Sequence, residues 1–559
     1  MKRTTAVSSS AWQTTAEIFL DEAGLYLPNG PAQRLRGAYY TPGSVADYMA
    51  DWAVRHDGEH VLEPSFGDGI FLRALAASAE HREFNAVRLT GVEIDEKAGA
   101  RALHEHLVEN GDLRCEDFLG VSPFKVQAVI GNPPYVRLRH LLHDQQQRAL
   151  RAAEIAMAQP MDPAGSLWMP FVLHAMRFLD EGGRLAFVLP YDFTYVRYAQ
   201  PLWSALRDKF GSLRVLRTRE RLFPELLQDV VILLADNYGS RTSAVRYQTF
   251  ERVLDLLNAR PTLDDTLDID DLLRGERVFV SSLLGHELRC LLRTRVADTT
   301  VQARKLVTFN IGYIAADKVF FHPTESEVHD YKLPSRSLRP AVTSTRMLKG
   351  AGLRTSSLGT ASIGKLFLPD PAALTDGERR YIAMGAESGV SNRYKCRVRN
   401  PWFVVPGIRV PDVILSVFSE RPILLVNDAG YFASNSLLCG FSVATTKEEI
   451  ATSWYTSLTL LQCELEVHAL GGGVMIMVPK EAGNIRLPER VAVNEEHINR
   501  IDHLLRLGRT KEAYRAGDLG VLSGQLGFRE HEVDLIHEGI EVLTHWRTSA
   551  RSSFEDFPE

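Results

Sequence analysis

The sequence predicts an α/β fold, a mostly parallel sheet wrapped by helices, followed by a second domain of mixed α+β character. Three observations predict it. Between residues 37 and 245, short apolar runs alternate with stretches of helical spacing, the pattern of strands joined by crossover helices. Beyond about 246 that alternation stops, turn residues thicken and the apolar runs shorten. The last stretch, 491–559, returns to a helical period.

Taken in order, residues 1–36 read as a polar N-terminal arm with some helix. His60–Glu63, Val87–Ile94, Val126–Ile130 and Arg184–Leu189 read as strands. Leu167, Phe171, Ala175 and Phe178 recur at helical spacing, and Glu181-Gly182-Gly183 turns that helix into the next strand. In the second domain, 246–490, Trp402–Val405 and Val413–Val417 look β-like. Val533, Ile536, Ile540 and Leu543 share one helical face, which ordinary core packing explains.

Composition narrows the classes. A hydrophobic fraction of 45% in 559 residues suits a globular protein with real cores. No run of 18 apolar residues is present, and the first residues lack the apolar stretch of a secretion signal. A cytoplasmic location is therefore expected. The five cysteines, at 115, 290, 396, 439 and 463, form no CxxC pair, so no metal site and no disulfide framework is expected. A net charge of −6 does not advertise nucleic-acid binding, although a basic surface can sit on an acidic body.

Four motifs carry chemistry. After the first strand comes Glu63-Pro64-Ser65-Phe66-Gly67-Asp68-Gly69, an acid followed by a glycine-rich turn at the start of a helix. Such a turn lies outside the carboxyl ends of the strands, where open α/β sheets bind ligands. Its spacing departs from GxGxxG, which argues against a dinucleotide site. Glu93 stands 24 residues after Gly69, at the end of the next strand. That is near the offset of about 20 residues at which an acid meets ribose hydroxyls. Asp117-Phe118 pairs an acid with an aromatic at a third strand end. Each of these alone also fits a plain connection or a solvated carboxylate.

The fourth motif is Asn132-Pro133-Pro134-Tyr135, directly after an apolar strand. The two prolines remove two backbone donors and stiffen the turn. The Pro133 carbonyl and the Asn132 side-chain oxygen are then two acceptors beside the flat face of Tyr135. Two acceptors and a stacking surface suit an NH2 group on a planar ring. The alternative, a rigid surface turn, does not explain why the motif comes fourth in this series.

The ordered series Thr41-Pro42, EPSFGDGIFL, GVEID, EDFL and NPPY resembles the γ-class N6-adenine DNA methyltransferases of restriction–modification systems. The resemblance is close over 37–245 and general beyond. It implies a Rossmann-like, seven-stranded methyltransferase domain that uses S-adenosylmethionine, with DNA target recognition C-terminal to it. It further implies that Tyr40, Thr41 and Pro42 seat the methionine end of the cofactor, with Glu63, Ser65, Phe66 and Gly67 along its amino-acid portion. Glu93 would take the ribose, Ile94 would pack on the adenine, and Asp117 and Phe118 would bind and flank that ring. Asn132, Pro133, Pro134 and Tyr135 would hold the target base. In Leu222-Phe223-Pro224, Phe223 would be its second stacking partner. Phe66 departs from the small or sulfur residue expected before the first glycine.

The resemblance also implies a flipped-out adenine in double-stranded DNA, a functional pairing with a restriction endonuclease, and action as a monomer. For recognition, Arg393, Lys395, Arg397, Arg399 and Arg409 lie in a stretch without acids, interleaved with Tyr394, Trp402 and Phe403, which reads as a DNA-facing patch or as a solvated strand face. Gly471-Gly472-Gly473 fits a DNA approach or a plain loop. The rival readings are an RNA adenine methyltransferase, a glutamine methyltransferase of release factors, and a DNA-binding module with a silent methyltransferase fold. The long C-terminal region disfavours the glutamine enzyme. The intact Asn132–Tyr135 motif and Glu93 disfavour the silent module.

Overall fold

The computed structural model describes residues 41–223, 229–359, 363–470 and 473–548. The N-terminal arm, Tyr40, Pro224, Gly471 and Gly472 lie outside the described residues. The chain divides into two compact units, Met1–Leu283 with Thr548–Glu559, and Leu284–Arg547.

The first unit is built on a nine-stranded sheet: β1 (His60–Glu63), β2 (Arg88–Val92), β3 (Leu113–Arg114), β4 (Val126–Gly131), β5 (Leu179–Pro190), β6 (Phe210–Thr218), β7 (Val230–Tyr238), β8 (Ala244–Phe250) and β9 (Leu263–Asp268). Their order is β3-β2-β1-β4-β5-β7-β6-β8-β9. β1 pairs in parallel with both β2 and β4, so the chain winds away in opposite directions on either side of β1. That reversal opens a crevice at the carboxyl ends of β1 and β4. The seven expected strands are present, and β8 and β9 extend the sheet beyond them. The expected boundary at 245 therefore falls inside β8, and the unit runs on to Leu283.

Side-chain alternation along the strands feeds two cores. Ala128 and Ile130 of β4 face α1 (Gly43–Ala53) and α2 (Ile70–His81), with Val45, Met49, Phe71 and Leu75 in one cluster. Val129 points the other way, into a cluster with α4 (His143–Met157), α5 (Trp168–Ala175) and α6 (Gln200–Lys209); α3 (Glu96–His104) follows β2. Both faces are covered, which is why these strands read as nearly continuous apolar runs. Glu181-Gly182-Gly183 does bend the chain, but within β5. Leu179 pairs with Val126, pairing resumes at Arg184 with Ala128, and Gly182 sits at φ +75.

The second unit contains a four-stranded antiparallel sheet in which Leu437–Ser442 lies between Val307–Ile311 and Val413–Ser416, with Leu424–Val426 outermost. Val413–Val417 is thus a strand as expected, one residue shorter. Trp402–Val405 is not. It forms a turn in which the Val404 N–H donates to the Pro401 carbonyl, between Pro401 and Pro406, two residues that supply no ladder donor. The last helix, Glu530–Arg547, buries Ile536 and Leu543 as the stripe predicts. Gly539 brings it close to its neighbours, since a Cβ there would stand 2.4 Å from Leu288.

Candidate active site

The glycine-rich turn after β1 is shaped by its backbone. The Phe66 N–H donates to the Val92 carbonyl at 3.2 Å, and the Gly69 N–H returns to the Phe66 carbonyl at 2.7 Å. Gly67 and Gly69 take φ of +55 and +81, left-handed values that a side chain would strain. Gly69 then caps α2. Glu93, at the end of β2, ties this turn to its own: one carboxylate oxygen accepts the Gly67 N–H at 2.9 Å, the other the Asp95 N–H at 2.9 Å. An ionised carboxylate offers about four acceptor positions, so two remain for ligand hydroxyls.

This turn forms one wall of a cavity of about 510 Å³. Of the expected residues, Thr41, Glu63, Ser65, Phe66, Gly67, Glu93, Ile94, Asp117, Phe118, Asn132 and Pro134 line it. The structure thus gathers four motifs from separate parts of the sequence at the switch point of the sheet. Ile94 is 54% exposed, an apolar face at the rim. Phe118 is locked among the rings of Phe171, His174 and Phe178. Asp117 accepts from the Leu119 N–H and from Arg148 of α4, both at 3.0 Å. The Phe66 ring is buried with Leu72, Ala98, Ala102 and Val108, which explains how a large residue is accepted before the first glycine. Gly91 makes room for it, since a Cβ there would stand 2.9 Å from the ring.

Glu63 is the electrostatic centre of the cavity. It is 1% exposed, and its Oε2 has no hydrogen-bond partner in the structure. Burial, and then the nearby carboxylates of Asp68 and Glu93, push its carboxyl well above the ordinary range. A buried acceptor of this kind calls for a ligand that brings a donor or a positive charge. The cavity thus offers a buried carboxyl at Glu63, an acceptor at Glu93 and an apolar face at Ile94.

The Asn132–Tyr135 segment leaves β4 directly beneath this wall. The Asn132 amide donates to the Thr41 hydroxyl at 3.4 Å, and the Ser65 hydroxyl donates to the Asn132 carbonyl at 3.4 Å. In the first contact the amide nitrogen is the donor. Tyr135 donates through its hydroxyl to the Val188 carbonyl of β5 at 3.0 Å. Pro133 and Tyr135 are not among the cavity-lining residues. Phe223 is buried in the α1–α2 cluster, against which Tyr135 also packs. Pro42 does not line the cavity either; its carbonyl accepts the first N–H groups of α1. The opposite wall, with His140, Leu141, Leu142 and Gln145, has no motif that could have marked it in the sequence.

Among the described residues, no group of three or more His, Cys, Asp and Glu side chains is placed to hold a metal, and no helix is long and apolar enough to cross a membrane. In the second unit the basic stretch is a short helix, Tyr394–Arg397, rather than a strand face. Arg393 pairs with the buried Asp317 at 2.7 Å. Arg399 donates to the carbonyls of Ile314 and Ala315 at 2.6 and 3.4 Å. Lys395 is half-buried and Arg397 is exposed.

Two family models match the chain. One, described as N-6 DNA Methylase, covers residues 29–200; the other, the C-terminal domain of Type II methyltransferase M.Eco57I, covers 276–522. The chain is 23% identical to Type II methyltransferase M.AccI of Acinetobacter calcoaceticus over 72% of its own length and 75% of that protein's. It is 25% identical to Type II methyltransferase M.XamI of Xanthomonas campestris pv. amaranthicola, over 83% and 87%. Among solved structures, the Type IIL restriction-modification enzyme MmeI in complex with DNA superposes with a TM-score of 0.52 at 12% identity, over 96% of this chain and 77% of that one. That last likeness concerns the fold alone.

Proposed function

We infer, from its membership of the N6-adenine DNA methyltransferases of restriction–modification systems, that this chain methylates N6 of a flipped-out adenine within a specific duplex sequence, protecting that sequence from a partner endonuclease. The observation that carries this reading is the meeting of Asn132 with Glu63 and Glu93 in one cavity. The methyl donor that fits is S-adenosylmethionine. Its amino-acid end would lie by Glu63, Ser65 and Gly67, its ribose by Glu93, and its adenine by Ile94, Asp117 and Phe118. When bound, it supplies a methyl group on a cationic sulfur.

The chain's own residues do the rest by position and electrostatics. An adenine amino group is a weak nucleophile because its lone pair is delocalised into the ring. Hydrogen bonds from that amino group to Asn132 Oδ1 and the Pro133 carbonyl draw the nitrogen towards a geometry with a localised lone pair. Thr41 keeps the amide oxygen turned to the base. The amino nitrogen would take the methyl as the donor's carbon–sulfur bond breaks and its sulfonium becomes a neutral thioether, and the proton then lost from the alkylated nitrogen is acidic enough for water to take. No histidine or cysteine is required. A base inside a duplex must first leave the stack, at a cost of a few kcal/mol, which stacking on Tyr135 offsets in part. Phe223 is assigned as the second aromatic partner of that base.

Residues 1–283 hold the donor and the chemistry, and the second unit recognises DNA through its basic 393–409 stretch. The protein works as a monomer in the cytoplasm. Sequencing of genomic DNA from cells expressing the chain, with detection of modified adenines, tests this. One recurrent sequence carrying N6-methyladenine is expected; unmodified DNA would refute it.

A further inference from the structure

The second unit carries a concavity of about 500 Å³ whose wall includes Lys395, Arg399 and Arg409 and no aspartate or glutamate. The three cations have different surroundings. Arg399 is half-buried and already donates to two backbone carbonyls, so it is a strut of the wall. Lys395 sits on the short helix with its ammonium 5.7 Å from the Tyr394 ring. Arg409 is exposed, and its guanidinium lies over the Phe441 ring, 4.3 Å from the centroid. Among the described residues, the single ion pair made by the 393–409 stretch is that of Arg393 with Asp317.

Phe441 is rigidly held. It belongs to Leu437–Ser442, where it pairs with Thr308 on one side, just past Gly440, the last residue paired on both sides. Gly407, at φ +68, turns the chain so that Arg409 reaches that ring. The ring restrains the guanidinium through this contact, and among the described residues the N–H groups of Arg409 make no hydrogen bond to the protein. A fork of two parallel donors in a fixed plane matches the O6 and N7 acceptors of guanine in the major groove. Little rotamer freedom is then lost on binding. The acid-free wall keeps the local potential positive on a chain of net charge −6, which lets a phosphate backbone approach.

We propose that Arg409, held against the Phe441 ring, reads a guanine in the recognised sequence, while Lys395 and Arg397 hold neighbouring phosphates. This rests on the reading of the chain as a DNA methyltransferase. The test uses the full chain and a randomised duplex library, methylated in vitro and sequenced for methylated adenines. The variants are Arg409→Ala, Arg409→Lys, Phe441→Leu and the double variant Lys395→Ala/Arg397→Ala, each first checked for an unchanged melting temperature and unchanged S-adenosylmethionine binding.

Both Arg409 variants are expected to lose a guanine preference at one position by about five- to 150-fold, the lysine variant despite its retained charge. Phe441→Leu should relax the same position in part. The double variant should keep the site preference, weaken binding to all sequences alike and lower the salt slope by about two units. Sequence-selective methylation by the wild type, with unaltered preference in Arg409→Ala or an equal loss on every sequence, would overturn the assignment alone. A wild-type chain that methylates no DNA would overturn the underlying function and the assignment with it.

Discussion

Glu93 accepts the backbone N–H of Gly67 at 2.9 Å, so the acid at the end of β2 is fastened to the glycine-rich turn after β1. A residue expected only to touch ligand hydroxyls also holds the turn that faces them. Glu93→Ala should therefore weaken S-adenosylmethionine binding by at least the value of a charged hydrogen bond, about 1.5–3 kcal/mol. Glu93→Gln, which keeps one acceptor, should lose less. Calorimetric titration of both variants checks this, and unchanged affinity in the alanine variant would take Glu93 out of the donor site.

Asn132 faces the target rather than the donor in this account. Asn132→Ala should abolish methyl transfer while S-adenosylmethionine still binds with nearly wild-type affinity. Parallel calorimetry and a methyl-transfer assay separate the two effects. Equal loss of both would place Asn132 in the donor site.

Tyr135 is tethered by its hydroxyl to the Val188 carbonyl. Tyr135→Phe keeps the ring and removes the tether. The expected loss is about 0.5–1.5 kcal/mol of unfolding free energy, with a modest fall in kcat. Denaturant melts and steady-state kinetics read the two. A full loss of activity without loss of stability would show that the hydroxyl itself takes part in the chemistry.

Glu63 gives a pH signature. Its carboxyl keeps its proton well above the ordinary value of 4.5, mainly because it is buried. From about that value up to the elevated folded one, the native state binds more protons than the unfolded chain, so this group makes stability fall as pH rises. Glu63→Gln lacks the titration. The variant should gain stability relative to wild type as pH rises through that window. A difference that stays constant with pH would mean that Glu63 ionises normally.

Gly91 is predicted to be intolerant of a methyl group. Gly91→Ala would press on the Phe66 ring, at a cost of about 1–3 kcal/mol, and should also weaken donor binding by shifting the turn that carries Phe66. Thermal melts and calorimetry test the pair of effects; a wild-type melting temperature would show that the ring yields freely.

Much of the first unit was legible because its strands are buried on both faces and its motifs stand at strand ends. His60–Glu63 runs as expected, and Asn132 follows β4 directly. The second of the two extra strands was not legible. β9 reads Leu263-Asp264-Asp265-Thr266-Leu267-Asp268, an acidic edge strand without an apolar run. The cavity wall at 138–145 carries no motif, since it acts through shape. The second unit was read least well. Trp402 and Phe403 have strand propensity, but the prolines beside them decide the local structure. The roles of Arg393 and Arg399 depend on Asp317 and on the carbonyls of Ile314 and Ala315, residues far away in sequence whose approach no spacing reveals.

The atom that receives the methyl group separates the proposed function from its rivals. Duplex DNA incubated with the purified chain and isotopically labelled S-adenosylmethionine, then digested and resolved as deoxynucleosides by mass spectrometry, measures it directly. Label is expected in N6-methyldeoxyadenosine with the wild type and none with Asn132→Ala. Label on cytosine, label acquired only by an RNA substrate, or transfer that survives in Asn132→Ala would contradict it.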